Sequence, residues 1–346
     1  MSVAATAAPR QRIGSSRRLS GPLLGFLGLL ALAVAAFASL VLGATTVAPA
    51  DAISALITFD GSRDHVTVAE VRLPRTIVAV VVGGALAVGG ALMQAVSRND
   101  LADPSILGIS WGAALATVAG QVVFGVGSTA TLVALAMSGA AVAAAAIVAL
   151  GLLGRGGLAA ERLVVAGAAI SGLLAALIQG LLVLDRESLE AARHWLASSL
   201  TGAGWDGLVA TLPYLVVGTL LAAAVSRPLT MLGLGEDVAS GLGVRPRPVQ
   251  AATAIAVVAL AGASVALAGP VALVGLAVPH VARRLVGHEI APQLWACAVL
   301  GALLVVVADI VARLVLAPEE LPVGVLTAAV GAPVLIHVVR RRTGRA

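Results

Sequence analysis

Apolar runs of about twenty residues alternate with short polar connections along almost the whole chain. Twenty residues is the length at which a helix crosses a bilayer core of roughly 30 Å. The runs predict ten transmembrane helices, over residues 22–42, 76–96, 106–124, 129–153, 163–184, 207–225, 249–268, 270–286, 291–312 and 323–340. The break within 249–286 rests on Gly269-Pro270, a turn signal in a run otherwise too long for one crossing. Barrel strands are about ten residues long and alternate in polarity, so the pattern predicts an all-α polytopic membrane protein instead. Residues 1–21 form a polar tail and residues 22–346 a single transmembrane domain.

The connections differ in character. Residues 43–75 make a long segment with room for a short surface helix. "SRNDLADPS" is a tight turn whose Pro104, with Gly108 just beyond, breaks the helix. The segment 226–248 is the longest connection on its side and keeps helical periodicity. Leu234, Val238 and Leu242 recur at i+4, which predicts an apolar stripe on a two-turn helix.

Composition supports the membrane assignment. Of 346 residues, 60% are hydrophobic and only 11% charged, with mean hydropathy +1.05. Soluble domains carry about 25% charged residues. All 22 basic residues are arginine. With no lysine, the chain has no Walker A loop, whose lysine holds nucleotide phosphates. If ATP drives this protein, another chain hydrolyses it. The single Cys297 sits inside an apolar run and says little about redox compartment.

"RIGSSRRLSG", an apolar stretch and Ala36-Phe37-Ala38 are similar to a secretory or twin-arginine signal. The apolar run continues past that candidate cleavage site, so the tail reads as cytoplasmic and leads into a first span. Ten spans then place both termini inside. Sixteen of the 22 arginines fall in inner segments, as the positive-inside rule requires. The six outer ones are Arg63, Arg72, Arg75, Arg186, Arg193 and Arg313. Arg72 and Arg75 are the sharpest exceptions. Pro74 opens an apolar run there, which predicts both arginines at a helix N-terminus, the end that repels cations. Anchoring on outer lipid phosphates is one reading, and a docking patch for a protein partner is another.

Ionisable groups inside spans are costly and usually functional. Asp309 is the one acid in a predicted span, with Arg313 one turn later, an arrangement that predicts a paired carboxylate. His280, after Pro279 near an inner helix end, reads as a helix-end hydrogen-bonding group. No His, Asp or Glu cluster suggests a metal or cofactor, and no nucleophile–base pair suggests hydrolysis. The spans thus predict neither ion coupling nor catalysis. Energy would enter through the loop 226–248, either as a helix lying in a groove of a cytosolic partner or as one resting on headgroups.

"EVRLPRTIVAVVVGGALAVGGALMQAVSRNDLADPSILGISWGAAL" resembles the hallmark of the FecCD family, permease subunits of type II ABC importers for ferric siderophores, haem and cobalamin. "LGLGEDVASGLGV", "VALAGPVALVGLAVPHVAR" and "ADIVARLVLAPEELPVGVLTAAVGAPVLIHVVRR" agree in family order, covering the chain from about residue 70 to its end. The resemblance implies a type II ABC importer permease fold in the bacterial cytoplasmic membrane and alternating access between two permease subunits, identical or paralogous. Two copies of a cytosolic ATPase and an extracytoplasmic binding protein would be its partners. A ferric siderophore is the commonest cargo in the family; haem, cobalamin and other metal chelates are alternatives, and an ion-coupled secondary transporter is a remote one. By resemblance, Arg72, Arg75 and Arg313 receive acidic residues of the binding protein. Gly235, Glu236, Ala239, Gly241, Leu242 and Gly243 match the coupling helices that dock into the ATPase. Asn99 and Leu101 match the turn at the cytoplasmic gate, and Ser171 a span lining the translocation path. The chain departs from the family twice: Asp100 stands where proline is usual, and Ser198 where glycine is usual.

Overall fold

The computed structural model describes residues 21–43, 45–104, 108–152, 160–184, 196, 198–317 and 319–343. The tail 1–20, and with it the signal-like arginines, lies outside these residues. So do the outer arginines Arg186 and Arg193. The described residues are helical, with no strand among them.

Ten helices coincide with the ten predicted spans. They are α1 Gly21–Val41, α4 Leu73–Ser97, α5 Ile109–Phe124, α6 Thr129–Leu152, α7 Ala160–Leu184 and α8 Trp205–Leu232, then α10 Pro246–Ala268, α11 Val274–Val286, α12 Ile290–Val315 and α13 Val323–Thr343. Between them lie three short helices, α2 Pro49–Ile57, α3 Arg63–Val66 and α9 Glu236–Gly241. Seven of the described helices are long and apolar enough to cross a membrane; α5 and the apolar part of α13 are shorter.

α11 is the shortest of the ten. Its 13 residues rise only about 20 Å. Gly269 ends α10 with φ 70°, and the chain reaches Val274 through Leu273, itself at φ 68°. Gly-Pro therefore does divide the run, and the second half is a half-helix fed by an irregular stub. Irregular backbone at this depth is tolerated where protein buries it, and Val271 and Val274 are buried.

α4 is the central element, with α10, α11 and α12 packed around it, while α5–α6 and α8–α10 form flanking pairs. Small residues let these backbones approach closely. A side chain on Gly83 would strike the carbonyl of Gly301 on α12, and one on Gly90 the carbonyl of Gly275 on α11.

The start of α4 differs from expectation. The helix does not begin at Pro74. It continues without interruption from Arg63 to Ser97, through α3 and a π-helical turn, Thr67–Arg72. Ser62 caps it by accepting from the His65 amide, and Asp64 lies in the first turn, where an acid suits the helix dipole. Proline inside a helix collides with the carbonyl four residues back; the wider π turn, in which Leu73 bonds back to Val68, stands immediately before Pro74 and relaxes that conflict. Arg72 and Arg75 therefore lie more than two turns from the positive end. The segment ahead is a hairpin of α2 and α3, tied by buried His65 to Ser54 Oγ (2.9 Å) and to Asp60 (2.7 Å).

Candidate docking and coupling sites

α1 ends at Val41, leaving the carbonyls of its last turn without helical partners. Arginines from two other helices take them. Arg72 donates to the carbonyls of Leu40 and Val41 (2.8 Å each) and Thr45. Arg313 donates to those of Ser39 (3.1 Å) and Leu42 (3.2 Å). A helix C-terminus is the negative end of the dipole, where cations are favoured. The hydroxyls line up in the same network. Arg313 donates to Ser39 Oγ, Ser39 to Thr76 Oγ1, and Thr76 to the Arg72 carbonyl.

Asp309 lies between the remaining charges, fully buried. Arg75 reaches its Oδ1 through Nε (3.0 Å) and Nη2 (2.8 Å), and Arg313 pairs with Oδ2 at 2.9 Å. Arg75 also pairs with Glu320 at 2.9 Å, in the stretch before α13. Thr201 donates to the same oxygen, Glu320 Oε2, at 2.8 Å. Burial works to raise the Glu320 pKa, but the Arg75 charge and the hydrogen bonds from Thr201 and Arg75 outweigh it and hold the carboxyl below its ordinary range.

The three arginines named by the resemblance are buried rather than displayed. Arg72, Arg75 and Arg313 are 5%, 7% and 3% exposed, with their heads turned inward onto α1, Asp309 and Glu320. Their placement needs no lipid phosphate to explain it. The Asp309–Arg313 pair is readable from its i,i+4 spacing; Ser39, Thr201 and Glu320 carry no such signal.

The other end of the molecule holds the loop residues. α8 runs seven residues beyond its predicted end, so the connection shrinks to residues 233–245 around α9. Gly235 (φ 115°) and Gly243 (φ 82°) turn the chain into and out of that helix. Ala239 is its buried anchor, while Leu234, Val238 and Leu242 are 68%, 51% and 61% exposed. Glu236 and Gly241 are not buried either. The stripe predicted from sequence thus projects from the bundle.

Asn99 and Leu101 form one tight turn in which the Asn99 side chain accepts from the Leu101 amide at 3.0 Å. Asp100 between them pairs with Arg283 of α11 at 2.9 Å. Arg283 also donates to Gln94, whose amide donates to the carbonyls of Gly275 and Leu276 at 3.3 Å. Pro279 lacks the amide hydrogen that would serve Gly275 within α11, so Gln94 supplies it from α4. His280 lies midway along α11 rather than at its end, and its Nε2 accepts from Arg284 at 3.0 Å. Ser171, on α7, is remote from this turn in sequence; its hydroxyl is buried beside Gly108 with no hydrogen-bond partner among the described residues.

The pattern of the FecCD transport family matches residues 29–341. The chain belongs to the FecCD transport family. It is 42% identical over 310 residues to the probable siderophore transport system permease protein YfiZ of Bacillus subtilis, covering 90% of this chain and 93% of that protein. It is 39% identical over 316 residues to the ferric enterobactin transport system permease protein FepD of Escherichia coli, covering 91% and 94%. Among solved structures it resembles a metal-chelate type ABC transporter in an inward-facing conformation, with TM-score 0.78 and 28% identity, over 93% of this chain and 99% of that one.

Both departures of this FecCD chain have local explanations. Asp100 is the partner of Arg283. Ser198 adopts φ 64°, a left-handed conformation that favours glycine, and its hydroxyl donates to the Pro270 carbonyl at 2.8 Å. A serine thus occupies a glycine position and adds a bond to the stub before α11.

Proposed function

We propose that this FecCD chain is the multi-pass permease of an ATP-driven importer that carries an iron chelate, a ferric siderophore first, from a binding protein into the cytoplasm. The observation that carries this reading is the exposed apolar stripe of α9 in a chain of this family. Four of the relatives that resemble it over most of their length are named for siderophore, ferric citrate, hydroxamate or enterobactin transport. The short helix α9 offers Val238, with Leu234 exposed just before it and Leu242 just after it, and suits a groove on a cytosolic ATPase. The chain has no lysine for a Walker A loop, which supports hydrolysis on that separate subunit.

In this mechanism ATP closes a pair of ATPase subunits, and α9 of each permease transmits the closure as helix tilting. Two permease copies, identical or paralogous, would flank the path in the bacterial cytoplasmic membrane, with both termini inside. α7, which carries Ser171, leaves Val165, Leu173 and Leu177 exposed, a face suited to that partner. The turn at Asn99 and Leu101 would close the path at its inner mouth, held by Asp100 and Arg283.

At the outer face a binding protein would approach the cluster of Arg72, Arg75 and Arg313. Because their heads are engaged, an incoming carboxylate competes with Glu320 for Arg75. The deciding measurement is uptake of ferric siderophore, haem and cobalamin into proteoliposomes holding permease, ATPase and binding protein. ATP-dependent uptake of the ferric siderophore supports the reading. Uptake driven by a proton gradient without any ATPase sinks it.

A further inference from the structure

Beside α9, the end of α4, α6 and the first turns of α10 enclose a cavity of about 1320 Å³. Ordinary small-molecule pockets hold about 300–1,000 Å³. Its floor is apolar, formed by Met93, Val96, Ile147, Val257 and Val258. Its rim is cationic, with Arg98, Arg245 and Arg247. One acid, Glu236, shares the rim. It lies 4.0 Å from Arg98 and accepts from Gln250 at 3.3 Å, so Arg98 is partly compensated. Arg245 and Arg247 are exposed and form no ion pair among the described residues.

The edge of the cavity is apolar too. Val148 on α6 and Ala251 and Ala254 on α10 are exposed there, on helices long and apolar enough to span. The cavity therefore joins the apolar flank of the molecule to a cationic rim at the first turn of α10, a helix long and apolar enough to span. A soluble anion would leave the apolar floor empty. A zwitterionic lipid would leave two guanidinium charges unbalanced. A ligand with a hydrocarbon tail and net negative head satisfies both halves at once.

We infer that this cavity binds one anionic phospholipid, with its phosphate against Arg245 and Arg247 and an acyl chain along Val96, Ile147 and Val257. Basic pockets between helices at the membrane edge recognise anionic headgroups in this manner. Glu236 and Ser240 of α9 form part of the wall, so the lipid would brace the coupling segment from the membrane side.

The test uses the full-length permease, purified in detergent and incubated with equal amounts of phosphatidylglycerol and phosphatidylcholine, with retained lipid read by native mass spectrometry. Wild type should prefer phosphatidylglycerol by roughly thirty-fold, the contribution expected of two arginines at a headgroup. Arg245→Gln with Arg247→Gln should abolish the preference while phosphatidylcholine retention is unchanged. Ala254→Trp, which fills the edge of the cavity, should lower retention of both lipids. Thermal midpoints accompany each variant, and both arginines are exposed, so loss of fold is separable from loss of binding. Equal retention of the two lipids by wild type overturns the proposal, as does a preference that survives the double substitution. Competition by inorganic phosphate as strong as by the lipid would reduce the site to a simple anion site and overturn it. Exclusion of both lipids from the assembled transporter would show that a protein partner fills the cavity, and would overturn it equally. Binding is read on the permease alone, so the lipid preference and its loss do not depend on ATP-driven uptake.

Discussion

Arg72 and Arg313 close over one helix end: Arg72 holds the carbonyls of Leu40 and Val41, and Arg313 those of Ser39 and Leu42. Removing either head leaves buried carbonyls without partners, each costing about 1–3 kcal/mol. Arg72→Met and Arg313→Met should each lower the thermal midpoint of the purified permease. Surface arginines such as Arg63 should tolerate the same change. Equal midpoints for Arg72→Met and wild type would return that residue to a surface role.

Asp309 is fully buried and faces two guanidinium groups. Asp309→Asn keeps the shape but leaves Arg75 and Arg313 short of a countercharge. Breaking a buried pair from one side costs about 3–5 kcal/mol. We expect poor expression or a sharply lower midpoint, and partial rescue by adding Arg313→Met.

Glu320 sets a pH dependence of known sign. Its carboxyl is held below its ordinary value of 4.5 in the folded chain. The stability it contributes is therefore fully present above that value and lost as pH falls through the lower folded one. Glu320→Gln should flatten acid sensitivity in this window. If Arg75 also receives a carboxylate of the binding protein, the same substitution should tighten docking by freeing Arg75 Nη1. A flattened acid profile with unchanged docking would make Arg75 structural only.

The α9 stripe predicts the opposite combination. Leu234→Ser, Val238→Ser and Leu242→Ser are exposed changes, each expected to alter permease stability by less than about 0.5 kcal/mol. Together they should strongly weaken capture of the ATPase in a pull-down. Undiminished capture would point to a helix that lies on headgroups.

Asp100 and Arg283 form one unit at the turn after α4. Asp100→Asn and Arg283→Gln should each raise ATP hydrolysis by the assembled transporter in the absence of binding protein. The double variant should add little, since partners in one contact are not additive. Additive effects would separate the two residues.

What can be read from the sequence follows the range of the interactions involved. Apolar length, with the Gly269-Pro270 turn signal, locates all ten helices, and i+4 spacing finds both the exposed residues around α9 and the Asp309–Arg313 pair. The start of α4 escapes a reading of the sequence because Pro74 looks like a helix opener, and only the π turn at Thr67–Arg72 lets the helix run through it. The burial of Arg72, Arg75 and Arg313 escapes a reading of the sequence for a different reason. Their partners are carbonyls of α1 and a carboxylate in the approach to α13, groups with no local signature. Gln94 is invisible likewise, since its task is set by a missing amide on Pro279 far along the chain.

The cap on α1 also constrains how the protein is made. α1 is the first of these helices to leave the ribosome, yet Arg313 of α12 is among the last side chains to be inserted. Until α12 is in place, the carbonyls of Ser39 and Leu42 lack their donor. A nascent chain stopped anywhere before residue 313 carries an unfinished end on α1, so the last turn of that helix is completed only when α12 packs against it.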